Sequence, residues 1–437
     1  MRPDRQAVRR ANEPRKGFSA SLVHLLGFNP RHPATRLLLF TAGAVLLFSW
    51  PLWIANYRFP TGGGDLWGQL HPVWSYIASW LRRGVIPLWH TGIMAGDPIF
   101  AEGQYGLFNP LNWPMFLFSP VPSWAVSLRG MFSLWLAGAG MVLYLHYSPA
   151  WRIPAAAALV GGTAYMFADP FIAHLGHPQF NDAMAWLPWA LWMVDGAIRR
   201  RRALPLGGLT LALLLLSGHG QASIYGALTV GIYALWQAFE AGLRRFPRRL
   251  GRLLLVAILA AALAMPAILP GLERLPYTER ANLPPKPGEY EFHLEMWRDY
   301  ISPAYHGRNI KTFWGPWERV ETGSVGVVAL GLAVLGLCYL TQRRTFFLWF
   351  LGILSVLFAL GTQAPLYPML APLPFFDATW KTGRVIYLLS FVLAAAAAQG
   401  TAWLIAGRGN RIWTFLILAG ALWISINAPN WAGFAPD

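Results

Sequence analysis

The chain has 437 residues, of which 55% are hydrophobic and only 12% charged, and its mean hydropathy is +0.40, a balance foreign to an ordinary soluble globule. The formal net charge of +16 would suit a nucleic-acid partner, but no basic patch is interleaved with stacking aromatics, which argues against that class. Apolar runs of membrane-spanning length recur along the chain with short basic breaks between them, so it reads as an all-α polytopic membrane protein.

Residues 1–36 are basic and lack a short apolar core followed by a small-residue cleavage site, so they read as a cytosolic tail rather than a signal peptide. The first span is expected over Leu37 to Ile54 and leads outward. A first outer loop, residues 55–123, follows. Within it Val73, Trp74, Ile77, Trp80 and Leu81 recur at helical spacing, which predicts a short amphipathic helix lying in the interface. Pro87, Pro98, Pro110 and Pro114 then break the chain into turns.

The second span is predicted over Trp124 to Tyr147, the third runs out to Phe171, and the fourth returns from Ala183 to stop at Arg199 to Arg202. The fifth (Leu204 to Leu216) and sixth (Ser223 to Phe239) form a hairpin closed by the basic segment Arg244 to Arg252. The seventh, Leu253 to Leu269, opens a second outer loop, residues 270–322, with several acidic residues and Trp297, Trp314 and Trp317. The eighth (Gly323 to Leu340), ninth (Thr345 to Leu360), tenth (Val385 to Ala406) and eleventh (Ile412 to Ile426) complete a bundle over residues 37–427. A short outer tail, 428–437, ends the chain.

With the N-terminus cytosolic and the spans alternating, cytosolic segments hold 22 of the 35 Lys and Arg residues against four acidic ones. The basic excess is then a topology signal, following the positive-inside rule. The single cysteine, Cys338, lies in an apolar run, so neither an intrachain disulfide nor a cysteine-built metal site can form.

Polar groups concentrate in the expected outer segments. Asp65 follows three glycines just past the first span. A partly desolvated carboxylate there can act as general base toward a hydroxyl, although Gly-Asp before an apolar helix is also a common cap. Gln69, Asp97, Glu102 and Gln104 share this Gly- and Pro-rich loop. They suit a sugar or a divalent metal, and equally the backbone of turns. A weak repeat, Gly176-His177-Pro178-Gln179 and Gly218-His219-Gly220-Gln221, ends the third and fifth spans on the same side. Its His and Gln side chains could face one cavity with Asp65 or cap helices at the water interface. Arg274, Lys381 and Arg384 lie at outer span ends, against the general charge trend. They suit a phosphate, or snorkel toward headgroups. Trp67, Trp89 and Trp297 are candidates for stacking on sugar rings or walling a lipid groove. No His-x-x-x-His or His-Glu pair at helical spacing marks a dedicated metal site.

Several of these residues form a pattern. Gly64-Asp65-(x)3-Gln69 with Pro72, Gly84-(x)2-Pro87-Leu88-Trp89, Gln104-Tyr105-Gly106 and Asn109-Pro110-(x)-Asn112 resemble the first outer loop of YfhO-like bacterial membrane proteins. Trp186-Leu187-Pro188 after His177, then Gly218-His219-(x)-Gln221, Pro266 before Glu273 and Arg274, and Lys381-(x)2-Arg384 extend the resemblance across most of the chain. YfhO-like proteins look related to the GT-C glycosyltransferases of the plasma membrane. The resemblance therefore implies transfer of a sugar from a polyprenyl-phosphate donor to an envelope glycan, lipid or protein acceptor on the outer face. It implies Asp65 as the catalytic carboxylate and Lys381 and Arg384 as phosphate partners. The sequence identifies no certain cofactor and leaves room for a divalent metal. Where relatives carry two arginines around a proline, this chain has Lys381, Gly383 and Arg384. Two other readings stand beside this one: a transporter or flippase of lipid-linked saccharides, which would call for inverted repeats and mid-membrane charges, and a non-enzymatic membrane assembly factor.

Overall fold

The computed structural model describes residues 32–54, 64–93, 95–278, 288, 290–302, 305–306, 322–339, 342–373, 376, 379, 381–407 and 419–420. Within them the regular structure is helical, apart from one isolated bridge between His90 and Asp97. The principal helices are α1 (Pro33–Phe48), α2 (His71–Leu81), α3 (Ser123–Tyr147), α4 (Ala155–Met166), α5 (Asp169–Ala173), α6 (Pro178–Arg199), α7 (Leu204–Leu215), α8 (Gly220–Glu240), α9 (Phe246–Arg274), α10 (Val327–Gly336), α11 (Arg343–Ala359) and α12 (Tyr387–Ile405).

Helix α6 is the axis of the bundle: 19 of its 22 residues are buried. A helix buried all round needs partners on every side, and α6 packs against α3, α7 and α8. Its internal Pro188 costs an i to i−4 bond, but burial among neighbours holds the helix together. Helix α12 is the second centre. Its run Ala394 to Ala398 is wholly buried, and small side chains let α10 come close. At Gly400 a Cβ would stand 1.9 Å from the carbonyl oxygen of Leu332, so this crossing admits no larger residue.

Helix α9 has the opposite character. Of its 29 residues only Val256, Ala260 and Ala264 are buried. Leu254, Leu255, Ile258, Leu263 and Leu269 are exposed, the surface of a helix solvated by lipid. Among the described residues four helices are long and apolar enough to cross a membrane: Ser123–Tyr147, Ala155–Ala173, Phe246–Tyr277 and Thr382–Ile405. Helices occupy the first ten expected spans, while the eleventh, apart from residues 419–420, falls outside the described residues, as do Trp314 and Trp317.

Three local expectations need correction. The third expected span breaks at Phe167 and Ala168, because Pro170 cannot donate into a continuing helix and instead opens α5. The fourth begins earlier than Ala183: Pro178 stands at the first turn of α6, so His177 precedes the helix directly. Helix α2 forms where expected, but Val73, Trp74, Ile77 and Ala78 are buried on a second small core with Ile99, Tyr105, Met115 and Phe116. The first loop folds on itself because these apolar side chains are close enough in sequence to cover one another.

Candidate functional site

Asp65 stands just before a single wide turn, Leu66–Leu70, and its side chain makes no capping bond there. The carboxylate reaches across to α6 instead. Its Oδ2 lies 3.1 Å from Nε2 of His177, with the Asp65 side chain 61% exposed and that of His177 42%. Of the two readings open for Asp65, the geometry removes the cap and leaves an accessible carboxylate oriented by an imidazole.

The two halves of the repeated Gly-His-x-Gln pattern do different work. His177 makes no cap bond at the start of α6. His219 does cap α8: its Nδ1 accepts from the Ala222 amide at 3.1 Å, which puts the ring proton on Nε2. Gln179 is 4% exposed, and its Oε1 has no partner among the described residues. Gln221 is fully occupied: its Nε2 donates to Tyr225 Oη (2.7 Å) and to the carbonyl of Lys381 (2.8 Å), and its Oε1 accepts from Arg384 Nη1 (3.4 Å). It thus anchors the Lys381 to Arg384 segment to α8. The Lys381 ammonium sits 3.9 Å from the centre of the Tyr290 ring, a cation–π contact.

Aromatic contacts tie these groups together. The Phe180 ring stacks on His174 at 4.0 Å and meets His219 edge-on at 4.9 Å, while His174 and His177 are 5.7 Å apart. The Nδ1–H of His174 donates to the Pro170 carbonyl at 2.9 Å. Burial first, and the neighbouring His177 second, hold its pKa down to about 3, so His174 is a neutral packing group.

The remaining candidates gather in a second cluster. Arg274 pairs with Asp97 at 3.0 Å and with Glu102. Asp97 also accepts from Tyr105 Oη at 2.6 Å; burial and that bond push the tyrosine up to about 12, against a smaller opposing contribution from Gln69. Glu102 Oε1 takes the Gln104 amide at 3.0 Å. The guanidinium expected to meet phosphate therefore holds the first loop onto α9. Gln69 and Gln104 are exposed. Among the described residues no cluster of three or more His, Cys, Asp or Glu is placed to hold a metal ion.

The two clusters meet where Gly103 lies against Gly218. Gly218 has φ +92°, and a Cβ there would come within 2.4 Å of the Gly103 carbonyl oxygen. Gly218→Ala should therefore lower stability by about 1–3 kcal/mol, read as a drop in the thermal midpoint of the purified protein. Gly176→Ala, at the matching position of the repeat, has nothing within 4 Å and should be neutral. Equal midpoints for the two variants would show that the contact is not closed.

Beneath the site lies a network that the sequence reading did not assemble. Asp182 is fully buried and pairs with Arg129 of α3. It also accepts from Asn109 Nδ2 (2.6 Å) and Ser133 Oγ (2.9 Å), and Arg129 Nε donates to Asn112 Oδ1 (3.0 Å). The available signal was two opposite charges, Arg129 and Asp182, each inside or beside an apolar run.

Residues 42–430 match the family described as bacterial membrane protein YfhO. No curated protein matches the chain. The match spans nearly all of the helical bundle and both clusters, and the chain belongs to the YfhO family of bacterial membrane proteins.

Proposed function

We propose that this protein is a GT-C-type glycosyltransferase of the bacterial plasma membrane. In this reading about eleven helices cross the bilayer, the length of each set by a hydrocarbon core of about 30 Å. The Arg-rich helix ends face the cytosol, and the first loop, residues 55–123, faces outward with the active site. The substrate is a sugar carried on polyprenyl phosphate, and the acceptor is a hydroxyl of an envelope glycan, lipid or protein.

The observation that carries the reading is the Asp65 carboxylate: exposed, uncapped and oriented by His177. Asp65 takes the proton of the acceptor hydroxyl as its oxygen bonds to the anomeric carbon. The bond from that carbon to the donor phosphate breaks, and polyprenyl phosphate leaves with the electron pair. Lys381 and Arg384, held on α8 through Gln221, offset the charge that grows on the leaving phosphate. Positioning of donor and acceptor supplies much of the remaining acceleration.

A flippase of lipid-linked saccharides draws on one observation, the buried Arg129 and Asp182 pair inside the bundle. Membranes containing the full chain, given radiolabelled sugars on polyprenyl phosphate, separate the two. Label covalently joined to an envelope acceptor supports transfer. Label that crosses the membrane still attached to its lipid overturns it in favour of transport.

A further inference from the structure

The opposite ends of the helices hold a cavity of about 320 Å³. Its walls are the connection between α3 and α4, the start of α11 and the last turns of α12, with Trp151, Arg152, Gln342, Arg344 and Gln399 among the lining residues. Tyr387, which opens α12 directly after the Arg384 segment, and Gln399 are separated along α12 by roughly 18 Å at the usual helical rise, so this cavity is distinct from the Asp65 site and does not rest on the transferase reading.

The cavity is built around fixed groups. Arg344 donates from Nη1 to the carbonyls of Ala150 and Trp151 (2.5 and 3.2 Å) and from Nε and Nη2 to Gln342 Oε1 (3.0 and 2.8 Å). Its guanidinium lies 5.9 Å from the centre of the Trp151 ring. Arg152 is exposed beside it at φ +51°, a left-handed conformation that a non-glycine residue holds only when its surroundings require it. Both lining charges are positive, and the lining contains no carboxylate. Gln399 is 4% exposed; its Nε2 donates to Thr345 Oγ1 at 2.8 Å, while its Oε1 is a buried acceptor without a donor among the described residues. Buried acceptors of this kind are normally satisfied.

We propose that this cavity binds a phosphate headgroup that also carries a hydrogen-bond donor, with Arg152 on the phosphate and Gln399 Oε1 accepting from the headgroup's N–H or O–H. A phospholipid of the adjoining leaflet and a free phosphate ester share this chemistry. Arg344 sets the wall and the local potential, and the planar fork of Arg152 matches two phosphate oxygens.

The test is native mass spectrometry of the delipidated full-length protein titrated with phosphatidylethanolamine, phosphatidylcholine or glycerol 3-phosphate. Phosphatidylethanolamine and phosphatidylcholine have the same net charge, but only the former has an N–H donor, so it should be retained about tenfold better, the worth of one good hydrogen bond. Arg152→Gly suits the left-handed backbone, keeps the fold and should lower retention of both lipids. Gln399→Leu should make the two lipids equal. Binding of glycerol 3-phosphate that Arg152→Gly removes, with no lipid retained, would assign the same chemistry to a soluble source. Equal retention of the two lipids by the unaltered protein, or retention unchanged in both variants, overturns the proposal.

Discussion

Asp65→Asn should abolish sugar transfer while leaving the protein folded and equally abundant. The substitution keeps the shape of the side chain and removes its ability to take a proton. General-base catalysis is typically worth about 10²–10⁴ in rate, so transfer should fall by that factor. Because the Asp65 side chain is 61% exposed and its single described partner is His177, little folding energy depends on it, and the thermal midpoint should hardly move. His177→Ala should give a smaller loss, since the carboxylate would remain but lose its orientation. The measurement is release of polyprenyl phosphate and labelling of acceptor by purified protein at matched concentrations. Asp65→Asn protein that transfers at the unaltered rate would remove Asp65 from the chemistry and send the search to Glu102, Asp182 and Glu273. Of these, Glu102 is taken up by Arg274 and Asp182 is enclosed, which makes both poorer bases than an open carboxylate.

Asp182→Ala should be the most damaging single change to stability. It would strand the Arg129 guanidinium, 6% exposed, and leave Ser133 and Asn109 short of an acceptor. Removing one partner of a buried pair costs about 3–5 kcal/mol, because the remaining charge stays desolvated without compensation. Much of the 5–15 kcal/mol that holds an ordinary domain together would be lost, so the variant should show a collapsed yield or a strongly lowered thermal midpoint. The double variant Arg129→Met, Asp182→Leu should recover a large share of the loss, since no charge then remains buried. Additive single and double effects would mean that the two side chains are not coupled, contrary to the contact seen between them. The network also fastens the first loop, through Asn109 and Asn112, to α6 and α3. It is thus the support on which the segment carrying Asp65 rests.

Much of the architecture was legible in the chain. Apolar runs separated by arginines located the helices, because a span must satisfy its backbone internally and keep its charges at its ends. The period of Val73, Trp74 and Ile77 located α2, although what covers that helix depended on Met115 and Phe116, more than thirty positions away. The repeat around His177 and His219 was visible as a pattern, yet its halves proved unlike: His219 closes its own helix, while His177 reaches Asp65, 112 residues earlier. Arg274 read as a phosphate-binding residue because its acidic partners, Asp97 and Glu102, lie far back in the chain.

The sequence by itself determined that this is a helical membrane protein, where its helices lie, and which polar residues are candidates for chemistry, since hydropathy, charge placement and period act over one or two turns. Its motifs also carried the family. Only the tertiary structure decided which of those polar groups are already spent and which are open. Gln221, Glu102, Arg274 and Asp182 find partners from distant helices and loops, whereas the Asp65 carboxylate keeps one face to solvent. The reason is physical: a buried charge or amide is stable only when its hydrogen bonds are met, and the groups that meet them here are brought together by packing rather than by spacing along the chain.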